Sequence, residues 1–122
     1  MELLIRVILA IIGLLNFLPS LGIFSKSKLE DTYGIKIEDR TLELLLKHRA
    51  FLFGIIGGFI IYSSVSGTHY FSSLVLGMLS MISFILFAKL IPESNNPNIK
   101  KIILADWIGI ILGIILFIFL YQ

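Results

Sequence analysis

"LELLLKHRAFLFGIIGGFIIYSS", Leu42 to Ser64, is apolar enough to cross a bilayer, yet Lys47, His48 and Arg49 stand in its first third. A bilayer core about 30 Å thick takes roughly 20 helical residues. The stretch from about Leu44 to Val65 meets that length, with its basic triplet about one turn inside one end. Lipid cannot satisfy open backbone groups, so such a stretch is a helix. The triplet then marks the end nearest a membrane surface, where long basic side chains reach the head groups.

Three more stretches have the same character: about Leu3 to Phe24, Tyr70 to Ile91 and Ile102 to Tyr121. The alternation expected of a membrane barrel strand is absent. Of the 122 residues, 57% are hydrophobic and 15% charged, and the mean hydropathy is +1.00. A soluble domain of this size could not hide so much apolar surface. The expected fold class is therefore all-α: an integral membrane, antiparallel four-helix bundle forming one domain over residues 1–122. The first stretch begins "MELLIR", is too long for a typical signal-peptide core and has no A-x-A site after it, so it is expected to be retained.

The connections differ in kind. "SVSGTHY" is short and forces a hairpin, and "PESNNPNIKK" is a Pro- and Asn-rich turn. The first loop, about Ser25 to Asp39, carries structure of its own. Ser27 and Glu30 in "SKLE" match a capping box and Gly34 a terminator, predicting a short interfacial helix near Lys28 to Tyr33. Ile35 to Ile37 alternate and predict a short extended piece, and Asp39 is placed to cap the next helix. Pro19 is placed to kink or end the first helix.

Lys and Arg orient the chain. Nine of the ten (Lys26, Lys28, Lys36, Arg40, Lys47, Arg49, Lys89, Lys100, Lys101) fall in or beside loops one and three; Arg6 is on the other side. The positive-inside rule puts those loops in the cytoplasm and both termini outside, in a cell (inner) membrane. A net charge of +2 is too small to suggest a nucleic-acid partner, and the lipid bilayer is the expected one. With no cysteine, disulfides, thiolate nucleophiles and Cys-ligated metals are excluded. His48 and His69 fall on opposite sides of the bilayer and cannot share a metal; neither a metal site nor a cofactor is expected.

Helices in lipid associate through close backbone approach and polar contacts. Gly54 and Gly58, with Gly57 beside them, and Gly109 and Gly113 give small-xxx-small faces. They predict seams within the chain, with a homo-oligomer seam as the alternative. Four polar positions fall at similar depth near the cytoplasmic side: Asn16, His48, Arg49 and Asp106, with Trp107 adjacent and Ser83 a further member. An acid inside a membrane helix is normally paired and faces the bundle interior. An Asp106–Arg49 ion pair is therefore expected, with His48 and Asn16 as neighbours and Lys47 reaching the head groups.

That cluster supports three functions. It can hold a lipid-like or small amphipathic ligand, or serve a membrane complex with a protein partner, with no reaction catalysed. It can act as a membrane-embedded enzyme on a lipid or quinone through His48 and Asp106. It can belong to a small transporter, though the bilayer midplane offers only Gly and apolar residues. An ion pair that merely fixes helix register accounts for the same residues. Small multidrug exporters resemble one another in a membrane-embedded Glu in the first helix, which this chain lacks.

"LEDTYGIKIEDRTLELLLKHRAFLFGIIGGFIIYSS" resembles a family of small, largely uncharacterised bacterial multi-pass membrane proteins of DoxX-like architecture. The matching positions are Tyr33, Gly34, Asp39, Lys47, His48, Arg49, Ala50, Phe53, Gly54 and Gly57. The resemblance implies a four-helix membrane fold and contributes no established activity. Members sometimes carry the label phosphopantetheine adenylyltransferase, which this sequence does not support: the H-x-G-H phosphate motif of that soluble enzyme is absent.

Overall fold

The structure, a computed structural model, describes residues 2–121. Among them helix is the one kind of regular structure, with no strand. In order come α1 (Glu2–Phe17), a 3-10 segment (Leu18–Phe24), α2 (Lys26–Tyr33), α3 (Arg40–Ser66), α4 (Tyr70–Leu90), a short 3-10 turn (Pro92–Ser94) and α5 (Pro97–Leu120). Four helical spans are long and apolar enough to cross a membrane: Glu2–Phe24, Arg40–Ser66, Tyr70–Leu90 and Pro97–Leu120.

Local chemistry sets the boundaries. Pro19 has no N–H to give the Leu15 carbonyl, so the α-helical part of the first span stops at Phe17 and the chain tightens into a 3-10 segment. The Asp39 carboxylate accepts from Thr41 N–H at 2.9 Å, which starts α3 at Arg40, one turn before the apolar run. Asn96 Oδ1 accepts from Ile99 N–H at 2.9 Å, which starts α5 at Pro97 rather than Ile102.

The first loop departs from expectation in one respect. Ser25, not Ser27, caps α2: its backbone is extended and its Oγ accepts from Lys28 N–H at 3.3 Å. Ser27 is already inside the helix. Glu30 turns forward and accepts from Ile37 N–H at 2.7 Å, which folds the segment after Gly34 back beneath α2. Ile35 to Ile37 thus form no strand. Ile37 is instead 1% exposed and joins Leu29 and Tyr33 in a small apolar cluster against Leu42, Leu46, Ile99 and Ile102. Gly34, at φ 66°, ends α2 as expected.

The larger core joins all four long helices: Ile5, Ile8, Leu9 and Ile12 of α1, Ile60 of α3, Leu74 and Met81 of α4, and Ile110 and Leu116 of α5. In its most apolar stretch the first span has 39% of its residues buried, against 17%, 28% and 22% for the others, so it is the most enclosed. Glycine permits the closest approaches. A methyl group on Gly57 would lie 2.5 Å from Phe17 N, and one on Gly13 2.8 Å from Ile61 Cγ1. The Met81 and Met78 sulfurs occupy the space over Gly109 and Gly113, and Ser20 lies over Gly54. A methyl group on Gly58 would meet nothing within 4 Å outside its own helix turn, so no neighbouring helix requires glycine there.

At the end opposite α2, Arg6 holds three helices together. Its guanidinium donates to Glu2 Oε1, Tyr70 Oη and Val65 O at 3.4 Å each, while Tyr70 Oη donates to Glu2 Oε1 at 2.5 Å. Ser64 Oγ donates to Arg6 O at 2.6 Å. His69 is exposed and stacks on Phe59 with ring centres 6.2 Å apart.

Candidate functional site

The polar residues of the sequence cluster fall where α2 covers the ends of α1, α3 and α5. Arg49 is at the centre. Its side chain leaves α3 among aromatic rings, its guanidinium carbon 4.5 Å from the Phe53 ring centre, 4.9 Å from Phe84 and 5.9 Å from Tyr33. Nε donates to Tyr33 Oη at 3.3 Å. Ring faces attract a cation, more so where water is scarce. Phe53 is one helical turn beyond Arg49 on the same face. Tyr33 is delivered by α2, whose C-terminus is pinned by Asn96 Nδ2 donating to Tyr33 O at 2.8 Å and Gly34 O at 3.3 Å. Asn98 Nδ2 adds a hydrogen bond to Asp31 O.

The expected Arg49–Asp106 ion pair does not form. Among the described residues the ion pairs are Arg6–Glu2, Arg40–Glu43 and Lys47–Glu43, and the Arg49 and Asp106 charges lie more than 4.0 Å apart. The physical reason is competition: three aromatic rings, one of them bearing the Tyr33 hydroxyl, take the guanidinium before it reaches α5. Lys47 Nζ pairs with Glu43 Oε2 at 3.0 Å, one turn back along α3.

Arg49 lines three cavities. The first, about 550 Å³, has Tyr33, Ile35, Ser83, Phe84, Phe87, Glu93 and Asn96 in its walls. The second, about 260 Å³, brings Arg49 together with Asn16 and Asp106, walled by Leu15, Pro19, Thr32, Tyr33 and Phe53. The third, about 370 Å³, runs between α3 and α4 and holds His48, Ser80 and Ser83.

Asn16, Arg49 and Asp106 are thus brought together. His48 is exposed on the α3–α4 side and shares no cavity with Asp106. Trp107 is 50% exposed and lines none of the three cavities, since one step along the helix turns it about 100° from Asp106. Among the described residues Asp106 has no hydrogen bond and no ion pair, and no three His, Asp or Glu side chains gather as metal ligands. The aromatic box escaped sequence reasoning. The i, i+4 spacing of Arg49 and Phe53 could have signalled one wall, whereas nothing in the largely apolar α4 marks Phe84 as another. The chain matches no family model, no curated protein and no solved structure.

Proposed function

We propose that the chain is an antiparallel four-helix bundle of the cell's inner membrane, both termini outside, that binds a lipid-like or small amphipathic ligand at Arg49 without catalysing a reaction. The observation that carries this is a cation with no carboxylate partner at the junction of cavities of about 550 and 260 Å³. One guanidinium N–H is used on Tyr33; the rest can serve a polar head. The larger cavity, with Phe84, Phe87 and Ile91 in its wall, suits an apolar tail.

The antiparallel arrangement draws support from paired contacts: Gly13 beside Ile61 and Gly57 beside Phe17, then Gly109 beside Met81 and Gly113 beside Met78. The segment that resembles DoxX-like proteins supplies Tyr33, Arg49 and Phe53, three groups of the box. A catalytic His48–Asp106 pair draws less support, since the two line different cavities. So does a transporter, because Ile8, Leu9, Ile12, Ile60 and Ile110 fill the interior between the two polar ends.

Mass spectrometry of the protein purified in mild detergent tests the proposal. The parent should retain an amphipathic compound that Arg49→Gln, purified in the same way, retains at least about tenfold less, the scale of one charge-assisted hydrogen bond. Equal retention by the two would refute it.

A further inference from the structure

The 260 Å³ cavity is lined by groups of opposite chemistry. Arg49 offers cationic N–H donors and accepts nothing. Asp106 offers a carboxyl group with no hydrogen bond and no ion pair among the described residues. Asn16, 3% exposed, lines the same cavity; its Nδ2 donates to Ile12 O at 3.0 Å, which leaves Oδ1 without a hydrogen bond among the described residues. The two acceptors suit a group with several N–H hydrogens, and the guanidinium suits an oxyanion. Arg49 and Asp106 share a cavity but lie more than 4.0 Å apart, beyond direct ion pairing, so a molecule that carries both charges can serve both.

Resting on the ligand-binding proposal, we infer that this site selects a zwitterionic head bearing a primary ammonium and a phosphate, as in phosphoethanolamine. The ammonium goes to Asp106 and Asn16, and the phosphate to Arg49. Arg49 also lines the 550 Å³ cavity, where Phe84, Phe87 and Ile91 offer apolar surface to the part of an acyl tail nearest that phosphate. A glycerol head offers no positive charge to Asp106. A choline head has the charge but no N–H to donate.

The full chain, delipidated in detergent and titrated with phosphatidylethanolamine, phosphatidylglycerol or phosphatidylcholine, is read by native mass spectrometry. The parent should bind phosphatidylethanolamine at least about tenfold more tightly than either other lipid. Asp106→Asn, which breaks no protein hydrogen bond, should abolish that preference without weakening phosphatidylglycerol binding, since it removes a negative charge from the cavity. Arg49→Gln should weaken phosphatidylethanolamine and phosphatidylglycerol alike. No preference in the parent, or equal losses of both lipids in Asp106→Asn, overturns the zwitterion inference while leaving Arg49 as a ligand site. Undiminished binding of every lipid by Arg49→Gln overturns the underlying proposal instead. Free phosphoethanolamine, added as competitor, identifies the source: displacement of the lipid means that the head alone is recognised, and no displacement alongside a retained preference means that the tail is required.

Discussion

Arg49 and Asp106 line one cavity without forming an ion pair. Their place near one end of the helices was legible, because counting residues from a helix end gives distance from that end. Their pairing was not, because it depends on how far each helix is rotated and on which distant side chains arrive first. Tyr33 and Phe84 are 16 residues before and 35 after Arg49, and they surround the guanidinium. The stability consequence reverses accordingly. Removing one partner of a buried ion pair costs about 3–5 kcal/mol, whereas loosely coupled charges contribute about 0–1. Asp106→Asn should therefore unfold in detergent with a midpoint close to that of the parent. Tyr33→Phe, which deletes the phenol that accepts from Arg49, should lose about 0.5–1.5 kcal/mol. Thermal unfolding followed by circular dichroism measures both, and a loss of 3 kcal/mol or more in Asp106→Asn would restore the ion pair.

At the scale of the helix, apolar stretches and punctuation residues told most of the story. Asp39, Gly34 and Pro19 act where their chemistry says they should. Ser27 misled because its spacing to Glu30 fits a capping box, while Ser25 holds the extended backbone a cap needs and Glu30 gains a 2.7 Å bond to Ile37 instead. The glycines were legible as a class but not one by one. A face that lets backbones approach looks the same in sequence as a face that meets nothing. Gly57→Ala must push Phe17 backbone atoms aside and should cost about 1–3 kcal/mol. Gly58→Ala has open space and should be neutral or gain about 0.5–1 kcal/mol from helix propensity. If both alanines unfold at the same temperature, the α1–α3 seam is not where it has been placed. Asn96→Ala is a second test, since it removes the α5 cap and the bonds to Tyr33 O and Gly34 O together. A loss of about 2 kcal/mol is expected, roughly 1 from the cap and the remainder from the freed carbonyls.

Across the whole molecule, the two ends differ in the kind of charge they carry. The end built from Glu2, Arg6, Tyr70 and Val65 satisfies the Arg6 guanidinium internally, so this arginine offers little to anionic head groups. The other end carries Lys26, Lys28, Lys36, Lys89, Lys100 and Lys101 around α2 and the turn before α5, and none of these six is in an ion pair among the described residues. Free lysines within a Debye length of an anionic leaflet gain about 1 kcal/mol each, so several of them outweigh one neutralised arginine in setting orientation. Single cysteines give a clean readout because the chain has none of its own. Ser27→Cys, in α2, should be labelled by a membrane-impermeant maleimide only after vesicles with the native orientation are opened. Ser66→Cys, at the end of α3, should be labelled while they are intact. Both sites avoid the caps at Ser25 and Gly67, and Ser66 gives up only a surface hydrogen bond to Thr68. Labelling of both from one side would mean that α3 does not cross the membrane, and with it the arrangement that puts Arg49 at head-group depth would fail. The reverse pattern would keep the crossing but turn the Arg49 cavities toward the outer leaflet, so the ligand would have to come from there.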